Sequence, residues 1–238
     1  MAVRIEADAY AFPYEGGLTP ETTALMVIDM QVDFCGEGGL ATVAGMDLRE
    51  MRAPIEPIAR VLAAARRCSM TVIYTREGHR GNGADLTGVK RFRSRLGGAG
   101  VGDPSPIGRI LIRGEPGHAI IPELAPQAQE PIVDKVGSGC FYGTEVEHLL
   151  RNRGIRNLIF VGVTTECCVH TSLREASDRG FDNLLLEDCT AGTTPQLKQA
   201  AIDIIRNPLT LFGTVGTSQA LLQGLSGCDK QQRVHGNI

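Results

Sequence analysis

The sequence predicts an α/β doubly wound fold, and three observations carry that expectation. Short apolar, β-branched runs recur along the chain, as buried parallel strands require. Amphipathic stretches at helical spacing separate them. Gly154 and Gly180 each follow a stretch that ends in basic residues, the composition that helix C-termini prefer. At 238 residues the chain suits one large domain with a sizeable core.

The elements follow in order. Pro20-Glu21-Thr22-Thr23 leads into a first strand at residues 24–29 (A-L-M-V-I-D). Residues 54–67 carry Ile55, Ile58, Val61, Leu62 and Ala65 on one helical face, ahead of a strand at 71–75. A short strand is expected at 131–133, a helix at 144–153 and a strand at 157–161. A helix at 168–179, a strand at 183–187, a helix at 196–206 and a last strand at 209–215 complete the alternation. Residues 78–117 hold eleven glycines, three prolines and the basic run from Lys90 to Arg95. They are expected to form a long excursion on the surface or at an oligomer contact. The domain reading is an N-terminal arm (1–22), a single α/β domain (23–225) and a flexible tail (228–238).

Composition excludes several classes. With 42% hydrophobic and 21% charged residues the chain is not disordered, and a net charge of −3 recommends neither nucleic acid nor an anionic membrane. No apolar run approaches a membrane span and the N-terminus has no signal-peptide core, so a cytoplasmic location is expected. Seven cysteines, at 35, 68, 140, 167, 168, 189 and 228, make a poor disulfide framework. Most are expected to pack, and one to react.

In an open α/β sheet, functional groups gather beyond the carboxyl ends of the strands. The first strand ends in Asp29, a later one in Asp134-Lys135, and another runs through Val163-Thr164-Thr165-Glu166-Cys167-Cys168 into a helix. A thiol at a helix start beside a lysine has its thiolate favoured by dipole and cation alike. Cys168 is therefore the expected nucleophile, Lys135 the cation and Asp29 the acid/base, with backbone amides of the 163–168 turn, those of Thr164 and Cys168, receiving an oxyanion. A cysteine-histidine pair is disfavoured. His170 lies two residues past Cys168, where side chains diverge, and His79, His118 and His148 read as surface residues. No G-x-G-x-x-G follows the first strand, so no nucleotide is expected.

The motifs V-I-D-M-Q-x-D-F, D-K and G-V-T-T-E-x-C-V-x-T, in that order, resemble those of the isochorismatase-like cysteine hydrolases. That resemblance implies a three-layer α-β-α sandwich with a six-stranded parallel sheet, a cis peptide at Val163-Thr164, a homotetramer, and Asp29, Lys135 and Cys168 as catalytic triad. It implies no metal and no cofactor: the nicotinamidase branch carries an Asp-x-His near the first strand, where Cys35-Gly36-Glu37-Gly38-Gly39 stands here. The segments Y-T-R-E-G-H-R and I-R-G-E-P-G narrow the resemblance to the hydrolases acting on biuret and triuret. The implied substrate is a small linear acylurea, cleaved with release of ammonia through an S-carbonyl enzyme. Phe34 and Phe141 are expected to sandwich the planar substrate, Lys135 to touch its oxygen and Glu166 to orient an amide N–H. The residues 206–210, which in biuret hydrolase bring a glutamine to the substrate, contain none here. An alternative is a ureidoacrylate or N-carbamoyl compound, whose carboxylate would pair with Arg76 or an arginine of the basic run.

Overall fold

A computed structural model describes residues 3–226. The flexible tail expected at 228–238 lies outside the described residues. In chain order the elements are β1 (Thr23–Ile28), α1 (Val32–Cys35), α2 (Leu40–Val43), α3 (Leu48–Arg52), α4 (Ile55–Arg67), β2 (Thr71–Glu77) and α5 (Gly88–Leu96). A small hairpin of β3 (Pro104–Ser105) and β4 (Gly108–Arg109) precedes β5 (Ile132–Lys135), α6 (Val146–Asn152), β6 (Asn157–Val163) and α7 (His170–Asp178). Last come β7 (Asp182–Ala191), α8 (Pro195–Arg206), β8 (Thr214–Gly216) and α9 (Ser218–Leu225).

Six strands form one parallel sheet in the order β5-β2-β1-β6-β7-β8. The chain winds outward from β1 through β2 to β5, then returns to lay β6 against the other side of β1. This reversal is the switch point at which α/β sheets open a crevice. Every residue of β1 is buried, and alternation sends Leu25 and Val27 into one core and Ala24, Met26 and Ile28 into the other. The first core packs with α4 and α9 and the second with α6, α7 and α8, giving the expected three-layer sandwich.

The structure departs from expectation in four places. Residues 209–213 are not strand: the Asn207 carbonyl accepts the N–H groups of Thr210 and Leu211, closing a turn that leaves Leu209 95% exposed, and only Thr214–Gly216 pairs with β7. The excursion is more than surface, because Leu86, Ala99, Val101 and Ile110 through Ile112 are buried in the first core. It also contains α5, whose N-terminus Thr87 caps by accepting the Lys90 N–H. His79 and His118 are buried rather than superficial, beside Asp85 and Asp134 at 3.3 Å each. Gly78 permits this, since a Cβ there would stand 2.5 Å from the His118 ring. The arm is docked: Ile5 and Phe12 are buried against each other's backbone, Asp8 pairs with Val215 at the sheet edge, and the Tyr10 hydroxyl donates to Asp182.

Candidate active site

The site is assembled from four neighbouring strand ends. Asp29, immediately after β1, is fully buried with φ 49°, a left-handed conformation that aspartate tolerates better than most residues. It is held there by Thr75 of β2. The Asp29 N–H donates to the Thr75 carbonyl and hydroxyl, both at 3.2 Å, and the Thr75 hydroxyl donates to Asp29 Oδ1 at 2.6 Å.

Asp29 Oδ2 meets Lys135 Nζ at 2.7 Å, with both side chains sealed from solvent. Lys135 also donates to the Gly137 carbonyl at 3.0 Å and lies 3.7 Å from Glu77 Oε2. Burial works against its charge. Asp29, Cys168 and Glu77 outweigh burial and hold its pKa well above the ordinary lysine value, so it is an ammonium at any working pH.

Cys168 is 4% exposed and sits in the π-helical turn Thr165–Val169 that leads from β6 into α7. The Val163-Thr164 peptide before it is cis. Gly162 is required where β6 pairs with the end of β1, because a Cβ at that position (φ 114°) would lie 2.0 Å from the Ile28 carbonyl oxygen. The Thr164 carbonyl accepts the N–H groups of Cys167 and Val169, fixing the turn. Ser172 ties it to the loop after Lys135, donating to the Cys168 carbonyl at 2.7 Å and accepting the Cys140 N–H at 3.1 Å. Asp29, Lys135 and Cys168, distant in sequence, therefore meet.

One expectation about Cys168 needs correction. Its thiol is held protonated, well above the ordinary thiol range, by the neighbouring Cys167 thiol first and then by burial, with Lys135 opposing. Lys135 cannot stabilise a resting thiolate strongly because Asp29 and Glu77 already balance its charge. Cys167 is exposed rather than packed, its sulfur 3.5 Å from the Ser138 hydroxyl. Cys35, Cys68, Cys140 and Cys189 are buried.

Sequence reasoning missed Glu77. Its Oε2 accepts the Cys168 S–H at 3.5 Å, and its Oε1 accepts Lys90 Nζ at 2.6 Å. Lys90, on α5, also donates to the Val136 carbonyl, so the excursion reaches the site. Burial alone would raise the Glu77 pKa; Lys135 and Lys90 outweigh it and hold the group below the usual carboxylate range. Gln31 pins the backbone here, accepting the Glu77 N–H at 2.7 Å and donating to the Glu77 and His118 carbonyls. Asp33 does the same for the excursion by accepting the Leu111 N–H. The missed signal was strand length: β2 runs two residues past Thr75, which places Glu77 at its carboxyl end.

The expected substrate contacts fare unevenly. Phe34 is buried with the first core and Phe141 with the second. The Phe141 ring is committed to Phe181, 6.0 Å between centroids, and to the Arg179 guanidinium. Glu166 Oε1 accepts the Thr193 N–H at 2.8 Å and its hydroxyl at 2.6 Å, while the buried Oε2 has no hydrogen-bond partner among the described residues. Arg76 is paired with Asp134 at 2.8 Å. Asp29, Glu77 and Cys168 could each offer a ligand atom to one metal ion, all within 4.8 Å of one another. The Lys135 ammonium against both carboxylates already supplies the charge such an ion would bring.

Comparison with known proteins bears on this geometry. A sequence profile of the isochorismatase domain matches residues 23–220. The ureidoacrylate amidohydrolase of Agrobacterium fabrum strain C58 is 34% identical over 84% of this chain and 88% of its own length. That of Pantoea ananatis strain LMG 20103 is 32% identical over 87% and 83%. A crystal structure of a cysteine hydrolase from Pseudomonas syringae pv. phaseolicola 1448A superposes with a TM-score of 0.75 at 26% identity, covering 89% of this chain and 95% of that one. With its sheet order, its strand-end residues and a profile match over most of its length, the chain belongs to the isochorismatase family of hydrolases.

Proposed function

We propose that the protein hydrolyses a C–N bond of a small ureide through an S-carbonyl adduct on Cys168. The observation that carries this reading is the buried Asp29–Lys135 pair, 2.7 Å apart, beside a thiol at the switch-point end of the sheet. Sγ attacks the ureido carbonyl carbon while its proton passes to Asp29. The C–S bond forms, and the carbonyl electron pair moves onto oxygen, where the backbone N–H groups of Thr164 and Cys168 receive it. Collapse restores the carbonyl and breaks the C–N bond, and Asp29 returns the proton to the leaving nitrogen, which departs as ammonia when a terminal amide is cleaved. Water then adds to the S-carbonyl carbon with Asp29 as base, and the proton returns to Sγ as the C–S bond breaks. Lys135 holds Asp29 in position throughout.

Two substrates within this class have separate support. Similarity to proteins named ureidoacrylate amidohydrolases supports a ureidoacrylate. The charge balance of the cluster, in which Asp29 and Glu77 face Lys135 and Lys90, supports a neutral acylurea such as biuret or triuret. The test is ammonia release from biuret, triuret, ureidoacrylate, N-carbamoylsarcosine and nicotinamide. Turnover of a ureide that vanishes in Cys168→Ala, with melting temperature retained, is expected; preference for nicotinamide refutes the reading. A homotetramer is proposed with it, to be checked by sedimentation. Among the described residues no helix is long and apolar enough to cross a membrane.

A further inference from the structure

From the cluster around the thiol we infer that Glu77, together with Lys90, selects neutral ureides over anionic ones. The inference rests on the ureide reading above and names the class of substrate within it. Its basis is an audit of charge and hydrogen bonds. The nucleophile is flanked by two carboxylates and two ammoniums joined in a chain: Asp29 to Lys135 at 2.7 Å, Lys135 to Glu77 at 3.7 Å and Glu77 to Lys90 at 2.6 Å. With a protonated thiol the chain sums to zero, and Lys135 and Glu77 are buried within it.

A carboxylated substrate adds a negative charge to this balanced cluster. Of the cations close to the thiol on these elements, Lys90 is already paired with Glu77, and Arg76 is paired with Asp134. A buried charge without a partner is costly, and a like charge next to Glu77 adds repulsion. A neutral ureide disturbs nothing. It also repairs a loss that catalysis itself creates. In the resting site Glu77 Oε2 accepts the Cys168 S–H. When that proton leaves for Asp29, the oxygen loses its donor, and a ureide N–H beside the attacked carbonyl replaces it. A buried carboxylate oxygen that keeps a donor throughout is favoured over one left bare. Glu77 therefore acts as an acceptor for the substrate and as a charge filter, while Lys90 holds it ionised and in place.

The test compares kcat/KM for biuret and for ureidoacrylate in the wild type and in Glu77→Gln, which keeps the shape and removes the charge. The wild type is expected to favour biuret. In Glu77→Gln, Lys90 is released to pair with a carboxylate, so the biuret-to-ureidoacrylate ratio falls about tenfold or more, with a lower KM for ureidoacrylate. A structural role for Glu77 would depress both substrates together and leave the ratio unmoved. If the single variant does not fold, Lys90→Met, which keeps Glu77 and leaves the cluster net negative, must shift the biuret-to-ureidoacrylate ratio the opposite way, upward. A wild type that favours ureidoacrylate, or an unchanged ratio in the variant, overturns the inference and spares the ureide reading. Failure of the wild type to hydrolyse any ureide overturns both.

Discussion

Two register pairs sit one residue apart where β2 and β5 end, Arg76 opposite Asp134 and Glu77 opposite Lys135. Each couples opposite charges, yet the pleat sends them to opposite faces of the sheet. Arg76 and Asp134 are about a quarter exposed, and their nearest further partner is His118. Glu77 and Lys135 are almost sealed and touch Asp29, Cys168 and Lys90. The sequence pattern of a cation and an anion on adjacent strands is the same in both pairs. What separates a structural pair from a reactive one is what the face contains: water and an imidazole on one side, a second carboxylate and a thiol on the other.

Removing the cation from each pair gives the largest contrast. Lys135→Met leaves Asp29 buried without its cation and facing Glu77. It is expected to lower kcat/KM by roughly a thousandfold or more and stability by about 3–5 kcal/mol, the scale for an uncompensated buried charge. Arg76→Met exposes Asp134 to solvent, so it is expected to cost under ~1 kcal/mol and to leave kcat within about twofold. Urea denaturation and steady-state kinetics measure both. Comparable losses in the two variants would abolish the distinction between the faces.

A smaller effect is expected from Thr75→Val, which preserves shape and deletes the hydroxyl that donates to Asp29 Oδ1 and accepts the Asp29 N–H. Asp29 keeps Lys135 and its bond to the Thr75 carbonyl, but loses the group that fixes its rotation. The expected result is a kcat lower by about 10- to 100-fold, KM nearly unchanged and a stability loss of about 1–2 kcal/mol. Loss confined to KM would mean that Thr75 shapes binding rather than the proton route.

Much of this arrangement is legible in the sequence, for identifiable reasons. A strand in a parallel sheet is apolar throughout, so residues 24–28 stand out, and the first polar residue after them, Asp29, marks the strand end. Reading on past the later apolar runs brings up Lys135 directly after Asp134, and Cys168 at the end of the turn that opens a helix. It fails at Glu77 because Arg76 and Glu77 look like the start of a loop, whereas pairing with Asp134 and Lys135 lets the strand continue two residues further. Lys90 was legible only as part of a basic run. Nothing local distinguishes it from Arg91 or Arg93, and its contact with Glu77 depends on how the excursion packs. The surroundings of Phe141 are equally illegible: it lies in the loop after Lys135, but its ring packs on Phe181 and Arg179, both distant in sequence.

The smallest effect sharpens the comparison from the structural side, through pH. Asp134 is partly desolvated, which would raise its pKa, but His118 and Arg76 outweigh this and bring it from 3.8 down to about 2. A carboxyl whose folded pKa is depressed adds stability that is complete above its unfolded value and disappears as pH falls through the folded one. The Asp134 contribution should therefore be intact above about pH 4 and gone near pH 2. Asp134→Asn is expected to lower stability by about 1 kcal/mol at pH 5, given the exposure of the pair, and the gap to wild type should close as pH approaches 2. Urea midpoints of the two proteins across that range measure it. The hydrolysis rate at neutral pH should change little, because Asp134 points away from Cys168 across the sheet. A gap that persists at pH 2 would mean that Asp134 supports the fold through its shape or its neutral hydrogen bonds, and that the charge pairing on this face contributes nothing.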